Sequence, residues 1–300
     1  MPLRRETAPR HFHKIGWGST IGTHRKDSVL RQGRKAVKKA LRPLGLFRTK
    51  RKFVSSAERD RYRQLLAEMM QRDFGLAMHP LQTDPNFIPP PAVVFKIQGS
   101  NAADPNTFFG GAYRRIASHL DALRSNGFDV ARMQRLLDFG VGTGRMLVHF
   151  LPFRLELYGV DVNPAAVEWT AQKLGGLARI ELSRLEPPLR FESGFFDLVM
   201  GNSVFTHIPY AAQPGWVAEL ARVLKPGGAA LILVHDFAKF PPERRSEGWA
   251  ERGEGRGLHH NTYVTREHLA VLWGPHFELL EIREFPPGQA LVVARRRAPH

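Results

Sequence analysis

The sequence predicts an α/β protein built on a mostly parallel sheet with helices on both faces. Three observations carry that expectation. A short apolar run ending in Leu136-Leu137 passes through the turn Asp138-Phe-Gly-Val-Gly-Thr-Gly144 into a second apolar segment, 146–151, as a buried strand does when it feeds a helix. Downstream, strand-like and helix-like stretches alternate, which calls for crossover connections and parallel pairing. The last two apolar runs, 277–285 and 289–294, are separated only by Pro286-Pro-Gly288 and read as a closing hairpin.

Taken in order, residues 1–52 come first. They hold sixteen Lys/Arg against Glu6 and Asp27, a net of +14 out of +16 for the whole chain, so the remainder is nearly neutral. Residues 1–26 lack periodicity and read as disordered. From Asp27-Ser28 onward, Val29, Leu30, Val37, Ala40, Leu41 and Leu44 form one apolar stripe among Arg and Lys, a basic amphipathic helix over 28–42 that Pro43 limits. Such a helix suits an anionic membrane surface or a nucleic acid; a solvated tail is the plain alternative.

Residues 53–94 read as an accessory helix and a connector. Ser55-x-x-Glu58 is a capping-box pattern, with Tyr62, Leu65, Leu66, Met69 and Met70 following at helical spacing and Gly75 suited to end the helix. Pro80, Pro85 and Pro89-Pro-Pro91 then predict an extended linker. The catalytic-sized domain, 95–300, opens with a helix at 111–125. Its strands are expected at 135–139, 156–161, 178–182, 195–201, 229–235, 277–285 and 289–294. Asn163-Pro164 is an N-cap with proline at the first helical position, 211–224 carries the stripe Trp216, Leu220 and Val223, and Thr265 caps a helix through Trp273. Residues 236–261 show neither helical nor strand periodicity and read as a long loop, the type of segment that forms lids.

The glycine turn decides between ligands. The dinucleotide fingerprint needs glycine where Arg145 stands, and the P-loop needs Lys-Ser/Thr after the last glycine, where the chain has Arg145-Met146. Asp138, two residues before the first glycine, repels a pyrophosphate and attracts an ammonium. Asp138-x-Gly-x-Gly-x-Gly144, the acid closing Leu157-Tyr-Gly-Val-Asp161, the Phe196-Asp-Leu-Val and Ser203-Val-Phe-Thr-His-Ile208 runs, and Leu224-Lys-Pro-Gly-Gly228 together resemble class I S-adenosylmethionine (SAM)-dependent methyltransferases over about residues 95–300. The resemblance implies a seven-stranded sheet with an antiparallel last strand. It implies SAM binding through Asp138, Phe139, Gly140, Gly142, Gly144, Asp161, Val162, Asn202 and Ser203, with Asp161 on the ribose. It also implies that the first helix of the domain closes over the cofactor, bringing Tyr113 and Arg114 toward its carboxylate. One departure stands out: Arg184 occupies the place where relatives often carry the acid that reads adenine, leaving Glu186, or backbone and apolar contacts, for that role.

A sulfonium methyl is already activated, so the protein mainly has to position an acceptor and take its proton. At the expected carboxyl edge of the sheet, His207 is the candidate base because histidine titrates near neutrality. His235, Trp249 and Tyr263 are the acceptor-side candidates, Trp249 as a stacking face. The absence of an Asn/Asp-Pro-Pro-aromatic turn after the fourth strand points away from base amines. Ser203-Val-Phe-Thr-His-Ile208 instead resembles methyltransferases of glycan and small-metabolite pathways, which makes a hydroxyl of a sugar or other small molecule the expected acceptor. A nucleic-acid methyltransferase docked through the basic tail, and a SAM-fold interaction protein without catalysis, are the alternatives. The chain has no cysteine, which excludes disulfides, zinc-thiolate sites and thiol catalysis. No pair of histidines stands at metal-binding helical spacing, so no metal is expected. No apolar run is long enough to cross a bilayer and the first residues lack a secretory core, so the expected location is cytoplasmic, peripheral to the membrane if the tail helix docks there.

Overall fold

The computed structural model describes residues 54–91, 93–94, 104–235, 243, 247–253, 260–285 and 288–298. The basic tail and its expected helix over 28–42 lie outside them. The first helix, α1 (Ser56–Phe74), has the predicted capping box: Ser55 Oγ accepts from the Glu58 amide at 3.2 Å, and Glu58 Oε2 accepts from the Ser55 amide at 3.0 Å. Gly75 ends it at φ 67°, a left-handed conformation in which a Cβ is strained. Of its stripe, Leu66 and Met70 are fully buried, while Leu65 turns outward.

The proline-rich segment that follows is not extended. Pro80–Gln82 and Pro85–Phe87 form two short 3₁₀ turns, each with proline at its start, capped by the side chains of His79 and Asp84. Proline presets the φ of such a turn, and a capping side chain supplies the local bond that an extended chain lacks. Nor does the segment separate two bodies. Phe87, Leu66 and Met70 share one hydrophobic cluster with Phe108, Ile116, Leu120 and Leu147, and residues 52–300 form a single unit. The boundary expected near residue 94 therefore falls inside a core.

Helix α2 (Pro105–Ser125) begins six residues before the expected start, because Asp104 caps it by accepting from the Thr107 amide at 2.8 Å. Gly110 and Gly111 had masked this first turn. At Gly110 a side chain would have to enter the space of Val54 and the Arg59 backbone, so close helix packing accounts for this glycine.

The strands are β1 (Arg135–Phe139), β2 (Glu156–Asp161), β3 (Arg179–Leu182), β4 (Phe196–Gly201), β5 (Leu224–His235), β6 (Trp249–Arg252), β7 (Asn261–Val264), β8 (Phe277–Phe285) and β9 (Gln289–Arg296). Seven form one sheet in the order β3-β2-β1-β4-β5-β9-β8; β1 to β5 run parallel, and β9 is antiparallel to both β5 and β8. Phe196 pairs with Leu224 and Leu198 with Ala229, so Lys225-Pro-Gly-Gly228 loops out of the ladder. Alternate residues build two cores. Leu136, Leu198 and Leu231 face the side of α1 and α2; Leu137, Val199 and Ile232 face α4 (Gln213–Val223) and α5 (Arg266–Trp273). Between β2 and β3 runs α3 (Pro164–Leu174), capped by Asn163 as expected. The 146–151 segment makes only a four-residue 3₁₀ helix, Leu147–Phe150.

Residues 236–261 also depart from the sequence reading. β6 and β7 pair Trp249 with Val264 and Arg252 with Asn261, forming a separate two-stranded hairpin. Strands of four residues are too short to show a period of two. Among the described residues no helix is long and apolar enough to cross a membrane.

Because α1 belongs to the core, Leu66→Ala should lower the stability of the whole 52–300 unit by about 2–5 kcal/mol in one cooperative transition. An unchanged denaturation midpoint would show that α1 is an appendage.

Candidate functional site

The strand order reverses beside β1, whose neighbours β2 and β4 are reached in opposite directions, so a crevice opens at the carboxyl ends of these strands. The glycine turn fills its floor. Gly140, Gly142 and Gly144 have φ of 76°, 54° and 73°, all left-handed. A Cβ on Gly140 would fall 2.3 Å from Val204 Cγ2, and one on Gly144 2.8 Å from Thr170 Cγ2. The turn is bonded to β2: the amides of Gly140 and Val141 donate to the Val160 carbonyl at 2.8 and 2.9 Å, and the Gly142 amide donates to Asp161 Oδ2 at 2.8 Å.

Asp138 is buried, and its Oδ1 has no hydrogen-bond partner. Burial, and then the neighbouring Asp161 carboxylate, push its pKa well above the usual carboxylate range. A buried acid left in this state is costly unless a cation arrives. Asp161 is raised by burial as well, while accepting from the amides of Asn163 and Gly142. At the ends of β2 and β3, Val162, Leu182 and Leu185 are 48%, 52% and 55% exposed. Apolar side chains left open there suit a planar base, and Arg184 beside them is exposed as well. The Phe139 ring packs 4.8 Å from Trp216 in the core, which leaves its backbone as the part that a cofactor beside the turn would meet.

Past β4, Asn202 Oδ1 accepts from His119 Nε2 at 3.0 Å, and its buried Nδ2 has no partner. Burial holds His119 down to about 4, so the ring is neutral and the amide is pinned with its NH₂ available. Ser203 sits at φ 64°, unusual for a residue with a side chain, and its Oγ accepts from Gln289 Nε2 at 2.5 Å. His207 Nδ1 lies 2.8 Å from the His260 carbonyl. A carbonyl only accepts, so Nδ1 carries a proton, and in the neutral tautomer Nε2 is the basic nitrogen. His260 is in turn held by Glu251 at 3.2 Å and Thr262 at 3.1 Å, and the Thr262 amide donates to the Thr206 carbonyl.

The acceptor-side candidates divide. His235 and Tyr263 stack on each other at 4.4 Å, and His235 Nε2 meets Asn261 Oδ1 at 3.2 Å. Trp249 instead stacks on Tyr210 at 4.5 Å and 4°, so one face of its ring is already covered. Tyr113 is drawn away from the crevice, donating its hydroxyl to the Gln82 carbonyl at 2.7 Å. Sequence reasoning missed Arg115, His119, Arg145 and Gln289. Gly111, Arg115 and His119 stand at i, i+4, i+8 on α2, inside the expected 111–125 span, but nothing local to the chain shows which neighbours this polar stripe meets.

Residues 137–232 match the family described as a methyltransferase domain. The chain carries a SAM-dependent methyltransferase domain. Two relatives of this methyltransferase are uncharacterised methyltransferases of Geobacillus kaustophilus and Geobacillus thermodenitrificans, 27% and 28% identical over 172 residues, 55% of this chain and 77% of each relative. Among solved structures, a SAM-dependent methyltransferase of Methanosarcina mazei aligns with TM-score 0.48 and 18% identity, over 59% of this chain and 98% of its own. A putative one from Listeria monocytogenes aligns with 0.49 and 12%, over 61% and 99%. The residues present fit the cofactor this domain implies: the orphaned Asp138 oxygen for its ammonium, the bare glycine backbone, and open apolar side chains near the adenine end.

Holding an ammonium requires Asp138 ionised, whereas burial favours its protonated form. SAM binding should therefore release a proton, and affinity should rise with pH through the Asp138 titration. Calorimetry in buffers of different ionisation enthalpy measures this release. Asp138→Ala should abolish it and weaken SAM by about tenfold or more; undiminished proton release in the variant would reject the assignment.

Proposed function

We propose that this methyltransferase transfers a methyl group from SAM to a hydroxyl of a sugar or other small molecule, with His207 as general base. The observation that carries the reading is the 2.8 Å bond from His207 Nδ1 to the His260 carbonyl, which leaves Nε2 free to take a proton at the exit of β4. When bound, SAM supplies a methyl already activated for in-line displacement. Asp138 holds the cofactor's ammonium, Asp161 offers its remaining lone pairs to the ribose, and Val162 and Leu182 flank the adenine. Asn202 directs a buried N–H toward the reacting region, and Ser203 presents its hydroxyl there. His235, at the end of β5, and Tyr263, on β7, form an aromatic wall for the acceptor, and His260 immediately precedes β7.

A hydroxyl acceptor needs a base, whereas a pre-aligned amine mainly needs acceptors for its N–H groups. The oriented imidazole therefore supports oxygen chemistry. The near neutrality of 53–300 supports a small acceptor over a polyanion, whose phosphates would call for a basic face.

Methyl-labelled SAM supplied with lipid-linked glycan, RNA and metabolite fractions should label the glycan or metabolite fraction. Labelled RNA would favour the tail-docked alternative, and no transfer to any fraction the non-catalytic one. His207→Asn should lower kcat by about 100-fold or more while SAM affinity stays within a few-fold; normal kcat would exclude His207 as the base. Replacing 236–261 with a short Gly/Ser linker removes β6 and His260 and leaves Tyr263 without its strand partner Ala250. It should abolish turnover while leaving SAM binding within a few-fold. Undiminished turnover would show that the hairpin neither orients His207 nor selects the acceptor.

A further inference from the structure

We propose that the acceptor carries a carboxylate, bound by Arg115. The inference deepens the reading above and rests on it. Arg115 and Arg145 come from different elements and lie close enough for the Arg145 charge to repel that of Arg115. Arg145 leaves the glycine turn directly, its guanidinium 5.7 Å from the Phe108 ring and its Nη1 close to Gly111. Arg115 lies over Phe285 at 5.7 Å and donates from Nη2 to Gln289 Oε1 at 3.0 Å. Elsewhere arginines find carboxylates: Arg283 pairs with Asp121 and Glu281, and Arg222 with Glu219. Among the described residues no ion pair engages Arg115 or Arg145. The Nε of Arg145 is buried without any partner. Burial, with Arg145 and Arg114 adding repulsion, brings Arg115 down to about 9; burial brings Arg145 down to about 10. Two half-buried cations placed side by side call for anions to pair with them.

Charge balance divides the two. SAM brings one ammonium, one carboxylate and one sulfonium. Asp138 answers the ammonium, and one arginine answers the carboxylate. The sulfonium and the other arginine are then left facing the acceptor, a field that favours an anion over a neutral molecule. Position says which arginine is which. Arg145, beside Gly111 and the glycine turn, lies on the cofactor side. Arg115 connects through Gln289 to Ser203 Oγ, and Gln289 pairs across the sheet with His235, so it lies on the acceptor side. A single planar guanidinium, already oriented by Gln289, matches a carboxylate in two-pronged geometry.

The test is titration of the full-length chain saturated with S-adenosylhomocysteine. D-glucuronate is compared with D-glucose, and 4-hydroxybenzoate with phenol. In at least one pair the acid should bind about tenfold or more tightly than its neutral partner, and Arg115→Met should remove that preference. S-adenosylhomocysteine affinity in Arg115→Met should stay within about threefold, whereas Arg145→Met should lose about tenfold for it and bind 5′-methylthioadenosine, which lacks the amino-acid group, as the wild type does. Equal binding of acid and neutral probes, no binding of either acid, or a preference that survives Arg115→Met overturns the proposal. If Arg115→Met fails to bind S-adenosylhomocysteine, the wild-type comparison alone decides. Failure of the wild type to bind S-adenosylhomocysteine is a separate result, which removes the cofactor site itself.

Discussion

The attachment of the glycine turn to the end of β2 is the constraint from which the rest of the site follows. Three backbone amides of the turn donate to Val160 and Asp161, which fixes a left-handed path at Gly140, Gly142 and Gly144. That path follows directly on the buried Asp138 and brings Val204 against Gly140. The β4 exit is thereby held against the β1 exit. If Gly140 had a side chain, either the turn would lift off β2 or the 202–207 segment would move away, separating the cofactor end from the candidate base.

Much of this was legible in the sequence because it is local. The glycine spacing, Ser55-Glu58, Asn163-Pro164 and Thr265 each act within one turn of chain, and each appears where the residues indicate. The strands long enough to show a run of apolar residues were also legible. What escaped depended on distant partners. The prolines at 80 and 85 read as an extended linker, because nothing local reveals that Gln82 bonds the His149 ring and that its carbonyl accepts from Tyr113. The β6-β7 hairpin escaped because its strands are short and are fixed by contacts to the 204–210 segment rather than by their own pattern.

The same distinction runs through the site. Asp138, Asp161 and the glycines are one motif, readable as such. Arg115, His119, Asn202, Ser203, Gln289 and the His207–His260 pair assemble from α2, β4, β9 and the hairpin, and only the fold brings them together. Fold and cofactor class therefore follow from the chain itself, whereas the identity of the acceptor lies in tertiary placement. The two arginines illustrate this. In sequence Arg145 only breaks a dinucleotide fingerprint and Arg115 is one cation among many on a helix.

Two rings in the first core have a consequence for the environment in which this domain persists. His119 and His149 are both fully covered, and burial holds them down to about 4 and about 3. In the unfolded chain an imidazole titrates near 6.5. Between that value and the folded ones, opening the core takes up protons that the closed core refuses, so stability falls as the solution acidifies and recovers as it returns to neutrality. Unfolding thus consumes acid, and these two buried rings make acidification below about 6.5 work against the fold.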